Sequence, residues 1–332
     1  MGLHASPIPT VQAVGQVRPT TASVCRPTQR IANIERLRVF GAIGIVWFHT
    51  DMAPYRDIGY AGLPIFLLVF FSLLTGQRHS DDLAHYLQRR WSLLLKPWLF
   101  WSLVYGLCRV AHATTEANTH SLDRILSLET VLVGTHVHLW YLPYAFLASL
   151  LIYALKTWTR DTHNLSAIVV GTGIGLLTLI VCSMPRFRPP TMLPLPQWEF
   201  GLPAIALGFA IGKCLSIRAK AKRRLPLLVI SLATLITCLI LTGLGYASMA
   251  IPYLLGTLLV CLGYAWPCAS DPIFSLLAPL TFGVYLIHPL VAHLLKYVAP
   301  PSGHPAVFIA LTTCGSALIT LTLMKTPIKK FL

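Results

Sequence analysis

Residues 38–50 read RVFGAIGIVWFHT: ten uncharged and almost wholly apolar residues, 39–48, held between an arginine and a histidine. Extended back to residue 35, this is the first of ten apolar runs, at 35–50, 58–75, 92–111, 138–156, 166–184, 199–214, 226–244, 246–266, 273–295 and 305–324. Most approach the roughly 20 residues that cross a hydrocarbon core as a helix, and the first and sixth are short for that task. Inside a bilayer every backbone polar group must be satisfied within its own segment, so such runs fold as helices. The reading is an all-α polytopic membrane protein of about ten transmembrane helices, with no separate soluble domain.

Composition agrees. Of 332 residues, 55% are hydrophobic and 11% charged, against roughly 25% charged in ordinary soluble domains; mean hydropathy is +0.67. The net charge of +15 is read as loop charge that sets topology rather than as a nucleic-acid surface. Twenty of the 26 Lys and Arg residues fall on one side if the N-terminus is cytoplasmic, which predicts both termini inside. The other side carries Arg56, Arg109, Arg124, Arg186, Arg188 and Lys296. Residues 1–32 lack helical periodicity and a continuous apolar h-region, so a disordered cytoplasmic tail is expected, not a signal peptide. The membrane domain is placed at 33–325 and a short cytoplasmic tail at 326–332. Eight scattered cysteines show neither a disulfide framework nor zinc-ligand spacing, and no metal site is expected.

Arg38 and His49 are the informative ends of the first run. Eleven residues apart, they fall within about 20° of one another around a helix and about 16 Å apart along it. One face therefore carries a fixed cation and, deeper or toward the outer side, a titratable base. Ionisable groups in a span are costly to bury and point to function, and histidine is the group suited to moving protons near neutral pH. His136 and His138 flank Val137, and on an α-helix they point to different faces, which favours an interfacial pair over joint catalysis.

Five segments carry a resemblance. They are Arg38 and His49 with ten residues between them, GLPIFLLVFFSLLTG (62–76), RRWSLLLKPWLFW (89–101), HLWYLPYAFLASLL (138–151) and FGVYLIHPLV (282–291). In this order they resemble the acyltransferase-3 family of membrane O-acyltransferases over roughly residues 34–325. The resemblance implies about ten spans and O-acylation, most often acetylation, of cell-surface or exported polysaccharides. It implies catalytic roles for His49 and Arg38, and makes Trp140, Tyr141, Tyr285 and His288 candidates for substrate binding. The sequence departs from the family at Ser72-Leu73, where a Ser-Gly pair is common, and at Ser92 to Leu94, where a second arginine is common.

The acyl donor implied is acetyl-CoA, used as a substrate with no permanently bound cofactor. Arg89, Arg90 and Lys96, expected on the cytoplasmic side, are candidates to hold its phosphates. The acceptor implied is a glycan or lipid-linked sugar. Membrane lipids and a polysaccharide-biosynthesis machinery are the expected surroundings, in the inner membrane of a bacterium. O-acyl transfer requires a base for the acceptor hydroxyl, and a histidine with an unperturbed pKa near 6.5 suits it. The residues alone leave open a multi-span transporter or lipid-glycan translocator, in which intramembrane His and Arg line a pathway, although no internal inverted repeat is visible.

Overall fold

The computed structural model describes residues 1–2, 32–77, 82–116, 127–160, 162–184, 192–217 and 219–332. The tail expected at 1–32 thus lies almost wholly outside the described residues, as do Arg78, Arg124, Arg186, Arg188 and Arg218. The described helices belong to one compact unit, Ile31–Leu332, and every regular element among the described residues is helical.

First come α1 (Ala32–Phe48), α2 (Arg56–Tyr60), α3 (Gly62–Gly76), α4 (Leu83–Arg90) and α5 (Lys96–Glu116). Next are α6 (Leu128–Val133), α7 (Tyr141–Trp158), α8 (Asn164–Ser183) and α9 (Leu195–Ser216). Then follow α10 (Lys220–Gly243), α11 (Ala247–Ala265), α12 (Pro272–Leu277), α13 (Thr281–Leu295) and α14 (Pro305–Leu323). A π-helical turn at Trp91–Leu95 joins α4 to α5, and a 3-10 turn at Val137–Trp140 leads into α7.

Among the described residues nine helices are long and apolar enough to cross a membrane. All ten apolar runs are helical, but α1, with 17 residues, rises only about 25 Å against a core of about 30 Å. The sixth run is longer than its apolar stretch suggests, because Leu195–Trp198 add a turn and bring α9 to 22 residues. Leu103, Leu107, Val169, Leu177, Leu232, Ile236 and Leu318 face outward. Such a belt would be an aggregation surface in water and is the natural exterior in lipid. The protein is an integral membrane protein.

At its centre stands α3, packed on α1, α9 and α11, with Leu67, Leu68 and Phe71 fully buried. Its approach to α1 depends on glycine. A Cβ on Gly62 would run into the Gly41 carbonyl oxygen, and one on Gly44 would lie 2.6 Å from the Gly59 carbonyl oxygen. Small residues let membrane helices dock backbone to backbone. Ser72 of α3 bonds both within its helix and across to α11: it donates to Val69 O and pairs with the Tyr264 hydroxyl at 2.9 Å. Helices α10 and α11 form a tight hairpin, turning through Gly245 at φ +90°.

Candidate active site

The helical geometry of the first span runs to its last residue, since the His49 amide donates to Ile45 O at 3.1 Å. Beyond it the chain turns back sharply. Trp47 Nε1 donates to Pro54 O at 2.8 Å, Arg56 Nε to Phe48 O at 2.9 Å and Thr50 Oγ1 to Val46 O at 2.8 Å, so His49 sits at a braced bend. Asp51 in this bend pairs with Lys296 Nζ from the end of α13 at 2.7 Å. That hydrogen bond holds the Asp51 carboxyl below the usual carboxylate range. The pair's contribution is therefore present above the carboxyl's unfolded pKa and fades as pH falls through its lower folded value. Both partners are exposed, so Asp51→Asn should cost at most about 1 kcal/mol. Thermal melts of the two proteins at pH 7 and pH 3 check both points, with the difference smaller at the lower pH.

His49 is exposed and lines a cavity of about 520 Å³ together with His112, His136, His138, His288 and His293. These rings come from three regions remote in sequence: α5, the turn before α7, and α13. The His49 and His288 ring centroids are 5.5 Å apart, those of His288 and His138 5.8 Å, and those of His138 and His136 4.6 Å. Tyr105 from α5 packs 4.8 Å from His136 and 4.9 Å from His138, and its hydroxyl donates to Leu286 O.

The helical projection of His136 and His138 is corrected by the structure. His136 is extended and His138 lies in the 3-10 turn, so the two Nδ1 atoms meet at 2.6 Å. The reason is Gly134, at φ +95°, where a Cβ would lie 2.5 Å from Ser102 Oγ. The tight left-handed corner forces the chain out of α geometry just before the pair.

Arg38 is half-buried one helix length away from His49, where its Nη2 donates to Thr281 Oγ1 at 3.3 Å. From Tyr141 aromatic side chains lead toward His49: Tyr141 is 5.5 Å from Tyr285 by ring centroid, Tyr285 is 6.3 Å from His288, and the Tyr285 hydroxyl donates to His138 O. The sequence candidates Tyr141, Tyr285, His288 and His49 thus follow one another ring by ring.

The other candidates lie elsewhere. Trp140 is buried against Tyr141 and Tyr144 and does not line the cavity. Arg90 is buried with its guanidinium 5.0 Å from the centre of the Tyr86 ring, which makes it part of the packing of α4 on α7, where Tyr86 donates to Ser149 O. Arg89 and Lys96 are exposed. Sequence reading did not single out His112, His293, Arg109 or Lys296 for the cavity. His288 and His293 are five positions apart on α13 and point about 140° from one another, so no shared helical face signals them.

The fold, with a histidine-lined cavity and an arginine on the same helix, has the groups that proton transfer and anion binding need. A family model described as an acyltransferase domain matches residues 31–325, the whole membrane unit. No curated protein and no solved structure matches the chain. The chain is a membrane acyltransferase. It belongs to the acyltransferase-3 family.

Proposed function

We propose that the protein transfers an acetyl group from acetyl-CoA to a sugar hydroxyl of a cell-surface or exported polysaccharide, with His49 as the general base. The observation that carries this reading is the exposed His49 on a cavity of about 520 Å³, a size that takes small-molecule ligands. The hydroxyl oxygen attacks the thioester carbonyl as His49 takes its proton. The carbon–sulfur bond breaks and the proton passes to the departing thiolate, so His49 ends the cycle neutral.

In this reading the Arg38 end faces the cytoplasm, as the basic-residue asymmetry favours, in the inner membrane of a bacterium. The cavity, with Arg109 and Lys296 in its wall, faces the acceptor. Arg38 holds a CoA phosphate or the start of the pantetheine arm, which extends about 16 Å along α1 toward His49. Exposed Arg89 and Lys96 are available to further phosphate oxygens. Arg90 contributes by positioning α4 rather than by open contact.

Hydrogen bonds to charged groups contribute about 1.5–3 kcal/mol. Arg38→Ala should therefore weaken acetyl-CoA binding roughly 10- to 100-fold, as measured by calorimetry on protein in lipid nanodiscs. Unchanged affinity with lost turnover would assign Arg38 to orienting the site. The activity itself is tested by NMR of polysaccharide from cells deleted for the chain and from the same cells complemented with it. O-acetyl signals should appear only on complementation; identical spectra sink the reading.

A further inference from the structure

This inference rests on the reading of His49 as the base and concerns what holds that base in its working state. In a regular helix the amide of residue 289 would donate to Tyr285 O, but Pro289 has no N–H. His288 takes its place: Nδ1 lies 2.8 Å from Tyr285 O and 3.3 Å from Val284 O. Carbonyl oxygens only accept, so Nδ1 carries the proton and the neutral ring has its lone pair at Nε2.

That Nε2 is buried and has no hydrogen-bond partner among the described residues, on a side chain only 1% exposed. A buried acceptor left empty costs free energy and calls for an occupant. His138, the other imidazole almost fully buried in the cavity wall, differs. Its Nε2 is 3.3 Å from Leu286 O and must donate, and its Nδ1 accepts from His136 at 2.6 Å, so both its nitrogens are engaged. Of these two buried rings only His288 has a nitrogen to offer.

Of the rings beside His288, His49 lies nearest, at 5.5 Å between centroids and inclined by 33°, against 5.8 Å for His138. A direct N–H···N bond of about 3 Å between two imidazoles puts their centroids about 5 Å apart, so the separation of these two rings is within reach of one. We propose that His288 is the positioning residue for His49: its Nε2 accepts the ring N–H of His49 and fixes the tautomer that leaves the other His49 nitrogen free to take the hydroxyl proton. Pro289 sets this up by freeing the carbonyl that orients His288. His288 keeps its own proton on Nδ1 throughout and gains or loses none, the role of the third member in nucleophile–base–orienter arrangements.

The test uses the full chain in nanodiscs, acetyl-CoA as donor and chemically de-O-acylated polysaccharide from the producing cells as acceptor. His288→Leu removes the acceptor nitrogen, whereas His288→Gln carries an amide oxygen to nearly the same place. The Leu variant should lose roughly 10- to 100-fold in kcat with KM for acetyl-CoA unchanged, and the Gln variant should recover most of the loss. Equal rates for Gln and Leu, or a Leu variant as fast as wild type, overturn the proposal. Independently of any variant, 15N-histidine NMR of the wild-type protein should show His288 bare at Nε2 and His49 in one tautomer; a proton on His288 Nε2 overturns it. Full activity in His49→Ala would remove the base reading as well, whereas an inactive His49→Ala with equal Gln and Leu rates removes only the positioning role.

Discussion

Purified protein carrying His49→Ala should release CoA thiol from acetyl-CoA, in the presence of acceptor, at least about 100-fold more slowly than wild type. General-base catalysis contributes roughly 10²- to 10⁴-fold, and among the described residues no other ring of the cavity lining stands at the end of the Arg38 helix. The change should leave the fold intact. The side chain is exposed, and the bend around it is held by backbone and neighbouring side chains: Trp47 to Pro54 O and Arg56 to Phe48 O. An unchanged melting temperature beside the lost rate separates chemistry from folding. A rate within a few-fold of wild type would remove His49 from the mechanism.

The second large effect concerns assembly. Gly62→Ala should greatly reduce the yield of monodisperse protein on size-exclusion chromatography and lower its melting temperature. The added methyl meets the Gly41 carbonyl oxygen and lies 3.1 Å from the Gly41 carbonyl carbon and 3.2 Å from the Ile45 amide nitrogen. Backbone cannot yield as a flexible side chain can. Overpacking of this kind costs about 1–3 kcal/mol or more, a large share of a marginal stability. Gly243→Ala is the control: nothing lies within 4 Å of its added carbon, and alanine is the better helix former. A Gly62→Ala protein as stable as this control would show that α1 and α3 can move apart freely.

Most of the helical bundle was legible because hydrocarbon imposes a simple code, in which apolar length alone marks a helix. Arg38 and His49 could be placed on one face for a similar reason, since α geometry holds without a break from Ala32 to the His49 amide. Where that periodicity lapses, the sequence misleads. The His136–His138 contact depends on the corner at Gly134 and a 3-10 turn, so a projection at 100° per residue separates rings that touch. Arg90 looks like its exposed neighbour Arg89, and only the packing of Tyr86 against α7 shows it to be buried. The cavity joins α5, the turn before α7 and α13, and no local pattern encodes which distant helices meet. Trp140 belongs to the recognisable HLWYL segment, yet it faces Tyr144 and the core. A motif records that a residue is needed and is silent on which way it points.

The contact between His49 and His288 also bears on how the protein is made. His49 lies at the end of the first helix to be synthesised among those described, and His288 on α13, near the end of the order. A nascent chain can insert α1 and α3 early, docked through their glycines, with the base already displayed. Its partner ring arrives only after nearly all the other helices have been threaded into the bilayer. The cavity wall therefore closes late in biogenesis, and a chain stalled halfway through translation would hold a histidine but no assembled site.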